Sequence, residues 1–134
     1  MSSYRLEIVT AERQVVEVEV ESVLLPTTSG RLGIWANHAP LLTALKIGLV
    51  EFGPKTGKKR KAAISGGFAE MADNTLTILA SSAELAEEID VLRAKEAKER
   101  AQQRLDEAQA DWDFARVQIA LEKAINRINA TDNE

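Results

Sequence analysis

The sequence predicts an α+β protein: an N-terminal β-sandwich followed by a C-terminal antiparallel two-helix hairpin. Three observations carry that expectation. Apolar residues alternate with a period of two early in the chain and recur every three or four residues later. The glycines (Gly30, Gly33, Gly48, Gly53, Gly57, Gly66, Gly67) and prolines (Pro26, Pro40, Pro54) all precede the last 51 residues, which hold ten alanines instead. Charge divides at the same place: residues 1–83 carry nine basic and eight acidic side chains, residues 84–134 eight basic and thirteen acidic. The shift marks a boundary near residues 81–88 and separates a sandwich domain, 1–83, from a hairpin domain, 84–134.

Each expected strand has its own signal. Val16, Val18 and Val20 alternate with Glu17, Glu19 and Glu21, which makes one face apolar and the other charged. Tyr4-Leu6-Ile8 and Leu76-Ile78-Ala80 repeat the pattern. Short apolar runs (Val23-Leu25, Leu41-Leu45, Leu49-Phe52, Ala62-Ile64) lie between them, bounded mostly by Gly, Pro, Ser and Thr. Many short strands with intervening turns suggest a sandwich or barrel. Gly53-Pro54-Lys55-Thr56-Gly57 reads as a turn, and the basic run Lys58 to Lys61 after it reads as a solvated hairpin tip, since it lacks the interleaved aromatics of a nucleic-acid site. Gly66-Gly67 reads as a bulge or tight turn.

From Glu84 the spacing becomes helical. Leu85, Ile89 and Leu92 begin a stripe that Ala97, Ala101, Leu105 and Ala108 continue, and Phe114, Val117, Leu121, Ile125 and Ile128 make a second. The second is rotated by about 100° from the first, which places a break near 109–113 with Asp111 or Asp113 available as an N-cap. Alanine buries little area but favours the helix intrinsically, so the first helix suits an element that undocks while staying helical.

Composition excludes much chemistry. The chain has 134 residues, 45% hydrophobic and 28% charged, without a run near the ~20 apolar residues of a membrane span. Arg5, Glu7, Glu12 and Arg13 interrupt the N-terminus, which therefore lacks a secretory signal core. Without cysteine there are no disulfides, thiolate metal sites or cysteine nucleophiles, and the single histidine, His38, excludes a multi-histidine metal site. His38 lies between Asn37 and Ala39-Pro40, an exposed loop, and reads as a structural or interface residue rather than a catalytic one. An enzyme acting through it or through a carboxylate pair is disfavoured.

The hairpin gathers cations. Arg93, Arg100 and Arg104 share one face of the first helix, and Arg116, Lys123 and Arg127 repeat that spacing on the second. With a turn near residue 110, Arg93 faces Arg127 and Ala97 faces Lys123. Arg93, Arg100, Lys123 and Arg127 would then converge as a polyphosphate requires, with Asp90 as an acceptor for an amino group. Glu87, Glu88, Glu96, Glu99, Asp106 and Glu107 offer the alternative of ordinary helix-surface ion pairs. No Gly-rich loop of the Walker type is present.

Several segments in order resemble the ε-subunit family of bacterial rotary F-type ATP synthases: Gly30-Arg31-Leu32-Gly33-Ile34, Asn37-His38-Ala39-Pro40-Leu41-Leu42-Thr43, Ser65-Gly66-Gly67-Phe68, Ile78-Leu79-Ala80 and Ile89-Asp90-Val91-Leu92-Arg93-Ala94. The resemblance covers nearly the whole chain. It implies a non-catalytic central-stalk subunit whose sandwich binds the γ subunit and rests on the ring of c subunits, with Arg31 toward the ring and His38 near the γ contact. It implies a peripheral position on the cytoplasmic face of the cell membrane, reached only through the complex, with no nucleic acid, required cofactor or metal site. The hairpin would inhibit ATP hydrolysis when extended along γ and permit it when folded, and ATP, with or without Mg²⁺, would be a regulatory ligand favouring the folded form. Carried over by residue, Glu84, Ile89, Asp90 and Ala94 would surround the base and sugar, and Arg93, Arg100, Lys123 and Arg127 the phosphates. Lys123 stands where arginine is usual, which keeps the charge but loses the bidentate fork. Arg116, Lys123 and Arg127 would meet acidic segments of the catalytic β subunits in the extended state. The alternative is a purely structural coupling adaptor without nucleotide sensing.

Overall fold

The computed structural model describes residues 2–107 and 111–131. Eight strands come first: β1 (Tyr4–Val9), β2 (Gln14–Val20), β3 (Ser22–Thr27), β4 (Gly30–Trp35), β5 (Leu41–Gly53), β6 (Arg60–Ala72), β7 (Thr75–Ala80) and β8 (Ala83–Leu85). A single 3₁₀ turn, Ala86–Glu88, leads to α1 (Val91–Glu107) and α2 (Asp111–Ala130). The chain forms two compact units, Met1–Leu85 and Ala86–Glu134. The division falls after β8 because Ala83–Leu85 pairs with Ala62–Ile64 and so belongs to the sheet, a contact that a composition shift does not register.

The strands of the first unit run β2-β1-β7-β6-β5-β3-β4, with β8 also pairing with β6. Laid flat, β1 and β4 would stand five strand spacings apart, roughly 24 Å. Yet the Tyr4 hydroxyl donates to the Ile34 carbonyl at 2.6 Å, so the sheet folds over on itself. Leu6, Ile8, Leu76 and Ile78 from one half then meet Val23, Leu25, Ile34 and Phe52 from the other in one buried core, the sandwich that the alternation predicts. Burial pushes the Tyr4 phenol well above its ordinary pKa, so it remains a donor.

Two long strands make the fold-over possible. The Leu41-Leu45 and Leu49-Phe52 runs are not separate strands but parts of β5, and Ala62-Ile64 is only the start of β6. Both strands are 13 residues long and serve both halves: Leu41–Leu45 pairs with Gly67–Met71 beside β7, and Val50–Phe52 with Arg60–Ala62 beside β3. The β5–β6 register is the same on either side, so Gly66-Gly67 is neither a bulge nor a reverse turn. It is a corner within a strand. Both glycines have positive φ, 94° and 135°, and the inward residues change from Ala62 and Ile64 before the pair to Ala69 and Met71 after it. A side chain on Gly67 would run into the Leu79 carbonyl oxygen, whereas Gly66 has room. On β3, Pro26 lies where pairing with β5 shifts between Leu24 and Thr27, the kind of irregular site an interior proline needs.

In the second unit α1 and α2 pack together as a hairpin. Their connection, residues 108–110 and with it Ala108 of the first stripe, lies outside the described residues. α2 is already helical at Asp111, so Asp113 lies inside its first turn rather than ahead of it. Ala94 and Ala101 are buried and Leu92 is 67% exposed, which moves the first stripe from Leu92 onto the alanines. On α2 the buried positions among the described residues are Ala124 and Ala130; Phe114 at the head of the expected stripe is 49% exposed, and the rest of that stripe, Val117, Leu121, Ile125 and Ile128, is half-buried. The fully buried positions of both helices are thus alanines, with longer apolar side chains half-buried beside them.

Gly67→Ala is expected to lose at least about 2 kcal/mol in urea unfolding, because both the positive φ and the Leu79 carbonyl oppose it. Gly57→Ala, at positive φ with open space around it, should lose only about 1 kcal/mol.

Candidate functional site

α1 begins where Asp90 stops the chain from fraying. Its Oδ1 accepts the Arg93 backbone N–H at 3.1 Å, and its carbonyl accepts the Ala94 N–H at 3.0 Å, the arrangement of an N-cap. Its negative charge also suits the positive end of the helix. The carboxylate expected to receive an amino group therefore has one oxygen committed to the helix start.

A groove of about 660 Å³ runs beside the hairpin seam. Ala97 and Ala101 of α1 with Val117 and Ala120 of α2 line it, and these small side chains leave the hollow. Arg100 and Arg104 border it from α1, Arg116 from α2, and Glu107 and Asp113 lie toward the connection. The lining spans 97–107 on one helix and 113–120 on the other, as an antiparallel pair turning near residue 110 requires. Arg100, Arg104 and Arg116 form no ion pair among the described residues. Three guanidiniums against two carboxylates give the groove a net positive charge, and its lining holds no Ser, Thr, Cys, Lys or His. Its chemistry is that of anion binding.

The expected nucleotide residues are distributed as follows. Arg100 lines the groove; Arg93 and Lys123 are exposed and Arg127 half-buried, outside its lining. Ile89 and Ala94 are buried. Glu84 is on β8, in the first unit. Arg116, expected at a protein contact, lines the groove with Arg100 and with Arg104, whose face the spacing identified without assigning it a ligand.

The first unit presents two further features. Arg31 of β4 reaches across β3 to pair with Glu51 of β5. His38 is half-buried rather than exposed, and its Nδ1 donates to the Ala39 carbonyl at 2.8 Å, with no nucleophile beside it. The sequence reading missed an apolar strip: Leu42, Phe68 and Leu79 are 70%, 57% and 58% exposed. Phe68 and Leu79 face each other across β6 and β7, and Val9 pairs with Leu79 from β1. Their signal was in the alternation, since each occupies an outward position where a polar residue is the rule.

Asp90→Ala should lower hairpin stability by about 1 kcal/mol, while Asp90→Asn, which keeps the capping oxygen, should lose much less. Thermal unfolding followed by helical circular dichroism checks both.

Comparison with known proteins matches both units. Residues 3–86 match the family described as ATP synthase, Delta/Epsilon chain, beta-sandwich domain, and residues 87–132 that described as ATP synthase, Delta/Epsilon chain, long alpha-helix domain. The ATP synthase epsilon chain of Syntrophomonas wolfei is 47% identical over 131 residues, 98% of this chain and 96% of the relative. That of Desulforamulus reducens is 48% identical over 128 residues, 96% of each. A chain in the cryo-EM structure of the Euglena gracilis mitochondrial ATP synthase (OSCP/F1/c-ring, rotational state 1) superposes with a TM-score of 0.82 at 25% identity, covering 98% of this chain and 83% of that one. The central stalk/c-ring structure of the Tetrahymena thermophila mitochondrial enzyme gives 0.66 at 16% identity over 96% of each chain, a likeness of fold. With a sandwich and a hairpin matched in order along almost its entire length, the chain belongs to the ATP synthase delta/epsilon chain family.

Proposed function

We propose that the chain is a non-catalytic central-stalk subunit of a proton-translocating F-type ATP synthase, joining γ to the c-ring and regulating ATP hydrolysis through its hairpin. The hairpin is the observation that carries this reading. Its fully buried helical positions are alanines, each of which covers little apolar surface, and Arg100, Arg104 and Arg116 gather on one groove. The exposed strip of Leu42, Phe68 and Leu79 supports a protein partner on the sandwich, and we assign it, together with His38, to γ. Arg31 is assigned to the ring side, and the complex holds the chain at the cytoplasmic face of the membrane.

ATP is the regulatory ligand of this reading. Ile89, Asp90 and Ala94 take the base and sugar, and Arg93, Arg100, Lys123 and Arg127 the phosphates. Arg116, Lys123 and Arg127 meet acidic segments of the catalytic β subunits when the hairpin extends. Lys123 and Arg127 cannot serve both anions at once, so nucleotide and inhibition compete. A ligand shifts the two states only by its differential affinity; at 100 times its Kd, ATP binding solely to the folded hairpin favours that state by about 2.7 kcal/mol.

Calorimetric titration of the purified chain should show saturable ATP binding, weakened about ten-fold or more by Arg93→Ala through loss of a charge-assisted contact. Absence of binding by the parent at millimolar ATP would leave the structural coupling adaptor as the function.

A further inference from the structure

Among the described residues, three other than glycine take left-handed backbone conformations: Asn37, Asp73 and Asn74, with φ of 62°, 51° and 55°. Such conformations are uncommon outside glycine, and asparagine and aspartate tolerate them best. Asp73 and Asn74 are the central residues of the β6–β7 hairpin, where Ala72 pairs with Thr75, and so tight a connection calls for two left-handed residues. Asn37 lies in the loop between β4 and β5. There the His38 N–H donates to the Trp35 carbonyl at 3.3 Å, which makes Asn37 the third residue of a four-residue turn, a place that favours glycine or asparagine.

The two asparagines meet. The turn's own bond uses the His38 N–H and leaves that of Asn37 to find another acceptor. The Asn74 side chain supplies it, with Oδ1 accepting the Asn37 N–H at 2.8 Å. The same amide donates through Nδ2 to the Ser3 carbonyl at 3.1 Å, and the Asn74 carbonyl accepts the Arg5 N–H at 3.3 Å. One residue thus ties the β6–β7 turn to the start of β1 and to the β4–β5 loop, 71 and 37 positions away in sequence. Among the described residues, the remaining hydrogen bonds of residues 36–40 are local, within the loop or to Trp35.

What the loop carries gives this link a use. His38 follows Asn37, and because its Nδ1 donates to the Ala39 carbonyl, Nε2 is the ring nitrogen left as an acceptor for a partner. Leu42, 70% exposed, lies four residues on, at the start of β5. We propose that Asn74 is a positioning residue for the partner-binding face: by holding the Asn37 backbone it presents His38 and Leu42 in the conformation that the partner meets. The inference rests on the assignment of His38 and Leu42 to γ. A loop ordered in advance loses less freedom on binding, and at the net strength of one hydrogen bond the loss of this link lowers affinity about five-fold.

The test titrates the full chain onto ATP synthase depleted of it, and follows amide exchange in the free chain. Asn74→Gly keeps the left-handed backbone and removes both side-chain bonds. Asn74→Asp keeps an acceptor for Asn37 but loses the donor to Ser3. The Asn37 amide is expected to exchange about ten-fold faster in Asn74→Gly and to stay protected in Asn74→Asp. Affinity should fall about five-fold in the first and return to the parent's in the second. A merely structural role would instead follow the unfolding midpoint, which both variants lower through the lost Ser3 bond. Parental affinity in Asn74→Gly, where His38→Ala/Leu42→Ala binds weakly, would overturn the inference alone. Undiminished binding by His38→Ala/Leu42→Ala would overturn the γ assignment beneath it as well. Equal loss of affinity in Asn74→Gly and Asn74→Asp, or an Asn37 amide that exchanges no faster in Asn74→Gly than in the parent, would also contradict it.

Discussion

The sandwich depends on a corner that only glycine can make. β5 and β6 must each serve two halves of one folded sheet, and Gly66 and Gly67 allow β6 to change direction without losing register with its neighbour. The turn exchanges the inward face from even to odd positions, so that Ile64 before it and Met71 after it enter the same core. The Tyr4 hydroxyl bond to Ile34, linking strands far apart in the sheet, exists only because that corner brings the halves together. Outward positions on β6 and its neighbour β7 then carry Phe68 and Leu79, so the constraint that builds the core also sets out the apolar strip assigned to a partner.

The second unit is built on the opposite economy. Core side chains such as Leu6, Ile78 and Phe52 each contribute about 1.5–3 kcal/mol by burial, whereas a buried alanine contributes one methyl group. Ala94, Ala101, Ala124 and Ala130 therefore add close approach and helix propensity to the half-buried Leu105, Val117, Leu121, Ile125 and Ile128, without a large fully buried apolar interior. Small side chains also leave a groove wide enough to gather Arg100, Arg104 and Arg116. One compositional choice thus gives the hairpin small buried side chains and a positively charged groove.

Much of this was legible in the residues. The alternating valines of β2 and the tyrosine-leucine-isoleucine series of β1 specify half-buried strands, and both take their expected inward faces at Val16, Val20, Leu6 and Ile8. The length of β5 and β6 was hidden because the corner resets the alternation, which makes each strand read as two short ones. Periodicity placed the hairpin correctly but chose Leu92 over Ala94, since a hydrophobicity pattern gives a long side chain more weight than the small one that close helices require. The positive groove was partly readable: spacing put Arg100 and Arg104 on one face, but which cations of the second helix lie beside them depends on a rotation that spacing alone leaves open. Asp90 illustrates the limit for single residues, because one carboxylate suits a helix cap and a ligand acceptor equally well until its hydrogen bond is seen.

The proposed regulation requires that the hairpin open more readily than the sandwich and respond to nucleotide. Amide hydrogen exchange on the full chain, with and without ATP, tests it most directly. Amides of α1 are expected to exchange through openings of lower free energy than those of β1, β6 and β7, and ATP to slow α1 selectively. Equal protection of hairpin and sheet, or the same exchange with and without nucleotide, would contradict it.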